Sequence, residues 1–250
     1  MASQRICIIG DSHVAALKTG WDAMGDTAHD VTFFAAPLPM LAHIAIDDGK
    51  LIATDPKLEA HFVRTSGGRT AIEDVYDAYI VCGQGLGFYN AQYVYNRCRM
   101  PELEPLEDAL ELTREAFEAA VDEHQEKSRA LQTLDKLRQI TKAPLLVVAM
   151  PIPTREGKLP IWKKLERNGD KRKMLEIFRE SCERLAVLRG ARFLPQPPET
   201  FAEDGTTRTE LGRAGARLRA TEVKDDLYHM NGVYGEIVLR AAFAALQIVS

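Results

Sequence analysis

Five short apolar runs recur along the chain without polar alternation: Arg5–Gly10, Val31–Ala36, Ala78–Gly83, Leu145–Met150 and Arg192–Leu194. A half-exposed strand alternates apolar with polar positions, so uninterrupted runs of this length predict strands covered on both faces. Elsewhere apolar residues return at three- and four-residue steps, over His13–Met24, Arg172–Arg189 and Gly232–Ile248 and through the long stretch from Glu102 to Thr141. That spacing draws an apolar stripe down one side of a helix. In the longest stretch Leu103, Leu106, Leu110, Phe117, Val121, His124, Leu131, Leu134 and Leu137 share the stripe, which predicts a pair of helices or one bent helix. The alternation of strand and helix predicts a mostly parallel sheet of about five strands between helical layers, an α/β fold in one domain spanning residues 1–250.

Composition narrows the class. At 250 residues, 46% hydrophobic and 27% charged, the chain has the make-up of a globular protein and is long enough to bury its own core. Its formal charge of −4 supplies no positive field for a phosphate backbone, so nucleic acid is not the expected partner. The apolar stretch Ile6–Ile9 stops at Gly10-Asp11, too short for a signal-peptide core or a membrane span, and the expectation is a cytoplasmic protein without a membrane partner. Cys7, Cys82, Cys98 and Cys182 show no CxxC spacing and are expected to be reduced thiols.

Charge is unevenly spread. Glu102–Glu126 holds ten acidic residues against Arg114 alone, as a solvated helix face does. Two segments, 151–173 and 206–224, read as irregular and basic. The first has eight Lys or Arg against three acids, and the second holds Arg208, Arg213, Arg217, Arg219 and Lys224 against two. Both follow predicted strands, so they could wall a site at the carboxyl edge of the sheet or simply balance surface charge.

Two motifs can carry chemistry. Gly10-Asp11-Ser12-His13 follows the first strand and opens a helix, which sets Ser12 at a helix N-terminus with its own N–H free to meet an oxyanion; Asp11 or Ser12 could equally be a helix cap. More than two hundred residues later, Asp226-Leu227-Tyr228-His229-Met230-Asn231 precedes the last helix. Serine needs a base, and an imidazole base needs an acceptor to fix its tautomer; His229 and Asp226 could supply the two, although a plain helix-entry turn would use the same residue types.

The pair resembles the SGNH hydrolases, the GDSL esterase and lipase superfamily, whose nucleophile lies in a GDS block after the first strand and whose base lies in a DxxH block before the final helix. The resemblance implies a three-layer α/β/α, flavodoxin-like fold and a catalytic set of Ser12, Asp226 and His229. It also implies oxyanion donors from Ser12, from a glycine block and from an Asn in a third block. Ser66-Gly67-Gly68-Arg69-Thr70 stands in a compatible place for the glycine block, with Gly68 the first choice and Gly67 its rival. In Gly83-Gln84-Gly85-Leu86-Gly87 the third-block Asn is replaced by Gly85, leaving Gln84 or Asn90 as substitute donors.

Other chemistries fit less well. GQGLG lacks the third glycine of a dinucleotide fingerprint and runs into FYNAQYVYN without a clear helix signal, and no GxxxxGK[ST] sequence exists. The histidines show no metal-site spacing, so no metal and no cofactor is expected. The implied reaction is hydrolysis of a small acyl ester, with an O-acetyl group on a carbohydrate or an intracellular glycan precursor as the substrate class. The alternatives are an acyltransferase that binds donor phosphates through Lys163, Lys164, Arg167 and Arg213–Arg219, or a binding domain without catalysis.

Overall fold

A computed structural model describes residues 3–25, 29–155, 160–212 and 228–247. In chain order its main elements are β1 (Gln4–Gly10), α1 (Val14–Met24), β2 (His29–Ala35), α2 (Pro56–Ser66), β3 (Ala78–Cys82), α3 (Phe88–Tyr95), α4 (Arg114–Glu126), α5 (Arg129–Ile140), β4 (Leu145–Val148), α6 (Pro160–Asn168), α7 (Lys171–Val187), β5 (Ala191–Leu194) and α8 (Gly232–Gln247). The five strands form one parallel sheet in the order β5-β4-β3-β1-β2. The chain leaves β1 toward β2 on one side and returns to β3 on the other. The carboxyl end of β1 is therefore the switch point where open α/β sheets place their ligands.

Both faces of the sheet are covered, which explains the unbroken apolar runs. In β1, Ile6 and Ile8 join a core with residues of α1 and α8, whereas Cys7 and Ile9 point into a second core with residues of α2, α3, α4, α5 and α7. The layers are helix, sheet and helix. Helices α1 and α8 pack backbone to backbone: a Cβ on Gly235 would lie 1.9 Å from the Ala16 carbonyl oxygen, and one on Gly20 would lie 2.3 Å from the Glu236 nitrogen. Only glycine permits that approach. All four cysteines are free; Cys7, Cys82 and Cys182 are buried and Cys98 is partly exposed.

The sequence-based expectations need correction in four places. Residues 88–95, read without a clear helix signal, form α3 with Phe88, Ala91, Val94 and Tyr95 buried. Residues 102–113 are not helical, and Leu110 lies exposed in a two-residue strand instead of on the apolar stripe. The rest of that stretch is the expected pair, α4 and α5, broken at Lys127–Ser128. Segment 151–173 is largely helical, since Pro160–Asn168 forms α6 with Trp162 buried against Phe88. A small antiparallel sheet of Ile44–Asp47, Lys50–Ala53 and Ala71–Ile72, together with α2, fills the region between β2 and β3. Asp55 starts α2 by accepting the Lys57 and Leu58 N–H groups, and the Asp-Pro pair there is an ordinary helix-start signal.

Candidate active site

The turn after β1 is held by a buried carboxylate. Gly10 lets the chain pass close to β3, since a Cβ there would lie 2.4 Å from the Cys82 carbonyl oxygen. Asp11 Oδ1 accepts the His13 N–H at 3.1 Å and Oδ2 accepts the Gln84 N–H at 2.8 Å. Two N–H bonds to one carboxylate tie the end of β1 to the end of β3. Gln84, with φ at 50°, occupies the left-handed region that few non-glycine residues adopt. Its N–H, amide and oxygen are all engaged: Nε2 donates to the Ile9 carbonyl at 3.1 Å, and the Thr133 hydroxyl donates to Oε1 at 2.7 Å.

Ser12 comes directly after Asp11, and its Oγ lies 2.8 Å from His229 Nε2. The His13 and His229 rings stand side by side with centroids 5.1 Å apart. His229 is positioned through its neighbours Met230 and Asn231. Met230 bridges Gly212, the Asn231 N–H donates to the Leu211 carbonyl, and Asn231 Oδ1 caps α8 by accepting the Tyr234 N–H at 3.2 Å. Helix α8 is in turn locked onto α1, the helix that begins just after Ser12. Asp226, and with it Arg213, Arg217, Arg219 and Lys224, lies outside the described residues.

The side-chain and glycine donors expected at an oxyanion site already have protein partners. Gly68 is the second residue past α2, its N–H already donates to the Val63 carbonyl at 2.8 Å, and its turn flanks the outer edge of β2 beside Asp30–Phe33. Gly67 caps the same helix in a left-handed conformation. The intervening α2 and small sheet, which the sequence order did not reveal, carry both glycines to the edge of β2 and not to the carboxyl end of β1. Gln84 is fully buried in the bonds given above. Asn90 Nδ2 donates to the Gly85 carbonyl at 3.0 Å and to Gln125 Oε1 at 2.8 Å, so its amide braces the loop.

Beside Gly85 stands Tyr89, a residue that sequence reasoning did not single out. A Cβ on Gly85 would lie 3.2 Å from the Tyr89 hydroxyl, so this phenol fills the space that a side chain at residue 85 would take. The hydroxyl donates to the Gly85 carbonyl at 2.8 Å. Burial, and then the Asp11 charge, push the Tyr89 phenol above its ordinary range, so it remains a protonated donor at neutral pH. The available signal was a Tyr four residues after a Gly in a strand-end loop, one turn into a helix. Among the described residues, the Ser12 and Gly85 N–H groups have no protein acceptor.

No protein-family profile matches the chain. No curated protein matches it in sequence. Solved structures do. An extracellular lipase from Streptomyces rimosus is 13% identical with a TM-score of 0.52, covering 97% of this chain and 99% of its own. A DUF4886 family protein from Bacteroides uniformis is 12% identical with a TM-score of 0.48, covering 98% and 83%. The periplasmic domain of a lipopolysaccharide acetyltransferase from Salmonella ser. Paratyphi A is 12% identical with a TM-score of 0.44, covering 100% and 85%. The protein has an SGNH-like α/β/α fold. The likeness is one of fold.

Proposed function

We propose that the protein is a serine esterase that cleaves a small acyl ester through an acyl-enzyme on Ser12. The observation that carries this reading is the 2.8 Å contact between Ser12 Oγ and His229 Nε2 at the switch point of the sheet. As the Oγ–carbon bond forms, the Ser12 proton passes to His229 Nε2. When the tetrahedral intermediate collapses, the bond to the leaving oxygen breaks and His229 returns that proton to it. Water then attacks the acyl-enzyme by the same path in reverse order. The developing oxyanion is met by the free Ser12 and Gly85 N–H groups and by the Tyr89 hydroxyl, which turns its single proton from the Gly85 carbonyl to the oxyanion and so takes the place of a third-block Asn. Asp226 is assigned to His229 Nδ1 on the strength of the sequence motif.

An O-acetyl group on a carbohydrate is the substrate class we favour. Tyr89 on α3 is nearly half exposed beside the Gly85 loop, and an aromatic ring of this kind stacks on sugar rings. The test is intact-mass analysis after treatment with a fluorophosphonate. One adduct should form on Ser12 and be absent in Ser12→Ala. An adduct that persists in Ser12→Ala, or an unlabelled wild type that hydrolyses no acetyl ester, overturns the reading.

A further inference from the structure

A cavity of about 340 Å³ opens where the Gly83–Gly87 loop meets the junction of α4 and α5. Gly85 and Tyr89 form one wall; His124, Lys127, Ser128 and Arg129 form another. Leu38 also lines it, so it spans the carboxyl ends of β2 and β3, the two strands that flank β1 and Ser12. No carboxylate lines this cavity among the described residues. We propose that it is a subsite for an anionic group, a carboxylate or a phosphate, carried by the substrate. What the anion is attached to rests on the esterase reading; that an anion binds here does not.

Three features of the wall point to a ligand. Lys127 and Arg129 supply two positive charges on adjacent elements. Their partners are light: Lys127 meets Glu123 at 3.0 Å on an exposed face, and Arg129 donates to the neutral Gln132 amide. The cavity also faces the start of a twelve-residue helix. Ala130 gives its N–H to the Gln84 carbonyl, but the Arg129 and Leu131 N–H groups have no acceptor among the described residues. Free first-turn amides and the helix dipole together favour negative charge. Finally, Ser128 occupies the N-cap position without capping: its hydroxyl is buried, has no hydrogen-bond partner among the described residues, and belongs to a residue only 5% exposed. Buried hydroxyls are almost always bonded, and because Ser128 lines the cavity, a turn of its side chain gives this hydroxyl an anion there as acceptor. His124 completes the wall. Its ring packs on Tyr93 with centroids 4.3 Å apart, and burial followed by the Lys127 charge holds it below the ordinary histidine range, as a neutral donor at pH 7.

The test has two arms. In the first, phenyl phosphate and benzoate are titrated into the full-length protein while the backbone amide resonances of Ser128–Leu131 are followed. Saturable shifts are expected in the wild type, with binding weakened about tenfold or more in Lys127→Gln/Arg129→Gln and weakened also in Ser128→Ala. In the second, kcat/KM is measured for phenyl acetate against 4-acetoxybenzoate, 4-acetoxyphenyl phosphate and monophenyl succinate. At least one anionic ester should be preferred about tenfold, through KM, and the double variant should bring that ratio close to one. Absence of amide shifts with either anion overturns the subsite. Shifts that are identical in wild type and double variant do the same. If anions bind but no ester is hydrolysed and Ser12 takes no fluorophosphonate, the subsite stands and the esterase reading falls.

Discussion

Ser12 and His229 reach the same point by different kinds of support. Ser12 is held within a few residues of a strand end: Gly10 permits the close passage, and the Asp11 carboxylate collects N–H groups from His13 and Gln84. His229 is 217 positions away in sequence and is placed by a helix, through the Asn231 cap on α8 and the glycine contact between α8 and α1. One partner depends on hydrogen bonds at a turn, the other on the fit of two helices. The dyad distance is therefore set by packing as much as by local chemistry, and each support can be removed separately.

The largest effect on activity should come from Ser12→Ala, which removes the nucleophile and touches neither support. Ester hydrolysis should fall about 10⁴-fold or more while the urea midpoint barely moves. Tyr89→Phe should come next. It leaves both supports intact and removes one donor, so kcat should drop about 10²-fold with KM little changed. Retention of full kcat would take Tyr89 out of the oxyanion site.

Two smaller effects separate the supports. Gly235→Ala forces a Cβ against the Ala16 carbonyl, so α8 must shift; a loss of about 1–3 kcal/mol in urea unfolding is expected, with slower turnover because His229 moves with the helix. Asp11→Ala leaves the Gln84 N–H buried without its acceptor, at a cost of about 1–3 kcal/mol, and should slow fluorophosphonate labelling of Ser12. If Gly235→Ala instead leaves turnover unchanged at full loss of stability, helix packing does not set the position of His229. The smallest effect is on the alkaline limb of the pH profile. Because the Tyr89 pKa is raised, the loss of its donor proton should fall above the ordinary tyrosine range near pH 10, and that limb should vanish in Tyr89→Phe.

The parts of this architecture that were legible in the sequence are those set by local pattern. Residues buried on two faces must be apolar in succession, so the strands of the sheet stand out, and a GDS block after the first of them marks the switch point. The features that escaped depend on approach in space. Nothing local distinguishes Gln84 as a brace between Ile9 and Thr133 from Gln84 as an oxyanion donor, since the difference lies in which distant groups come within reach. Gly67 and Gly68 drew attention because a helix C-cap and an oxyanion loop both call for glycine, and Gly67 is the C-cap of α2. Residues 88–95, rich in aromatics, gave no helix signal because α3 draws on burial of Phe88, Ala91, Val94 and Tyr95 more than on intrinsic propensity.

The free cysteines offer a built-in gauge of opening. Cys7 sits in β1, Cys82 at the end of β3 and Cys182 in α7, and burial raises all three thiols above their ordinary range, so in the folded protein they react slowly with alkylating agents. Cys98, partly exposed, is the first thiol such a reagent meets. A maleimide therefore reports on different parts of the protein in sequence. Cys98 is modified in the native state, Cys182 when α7 lifts from the sheet, and Cys7 and Cys82 only when the strands that carry the Ser12 turn come apart.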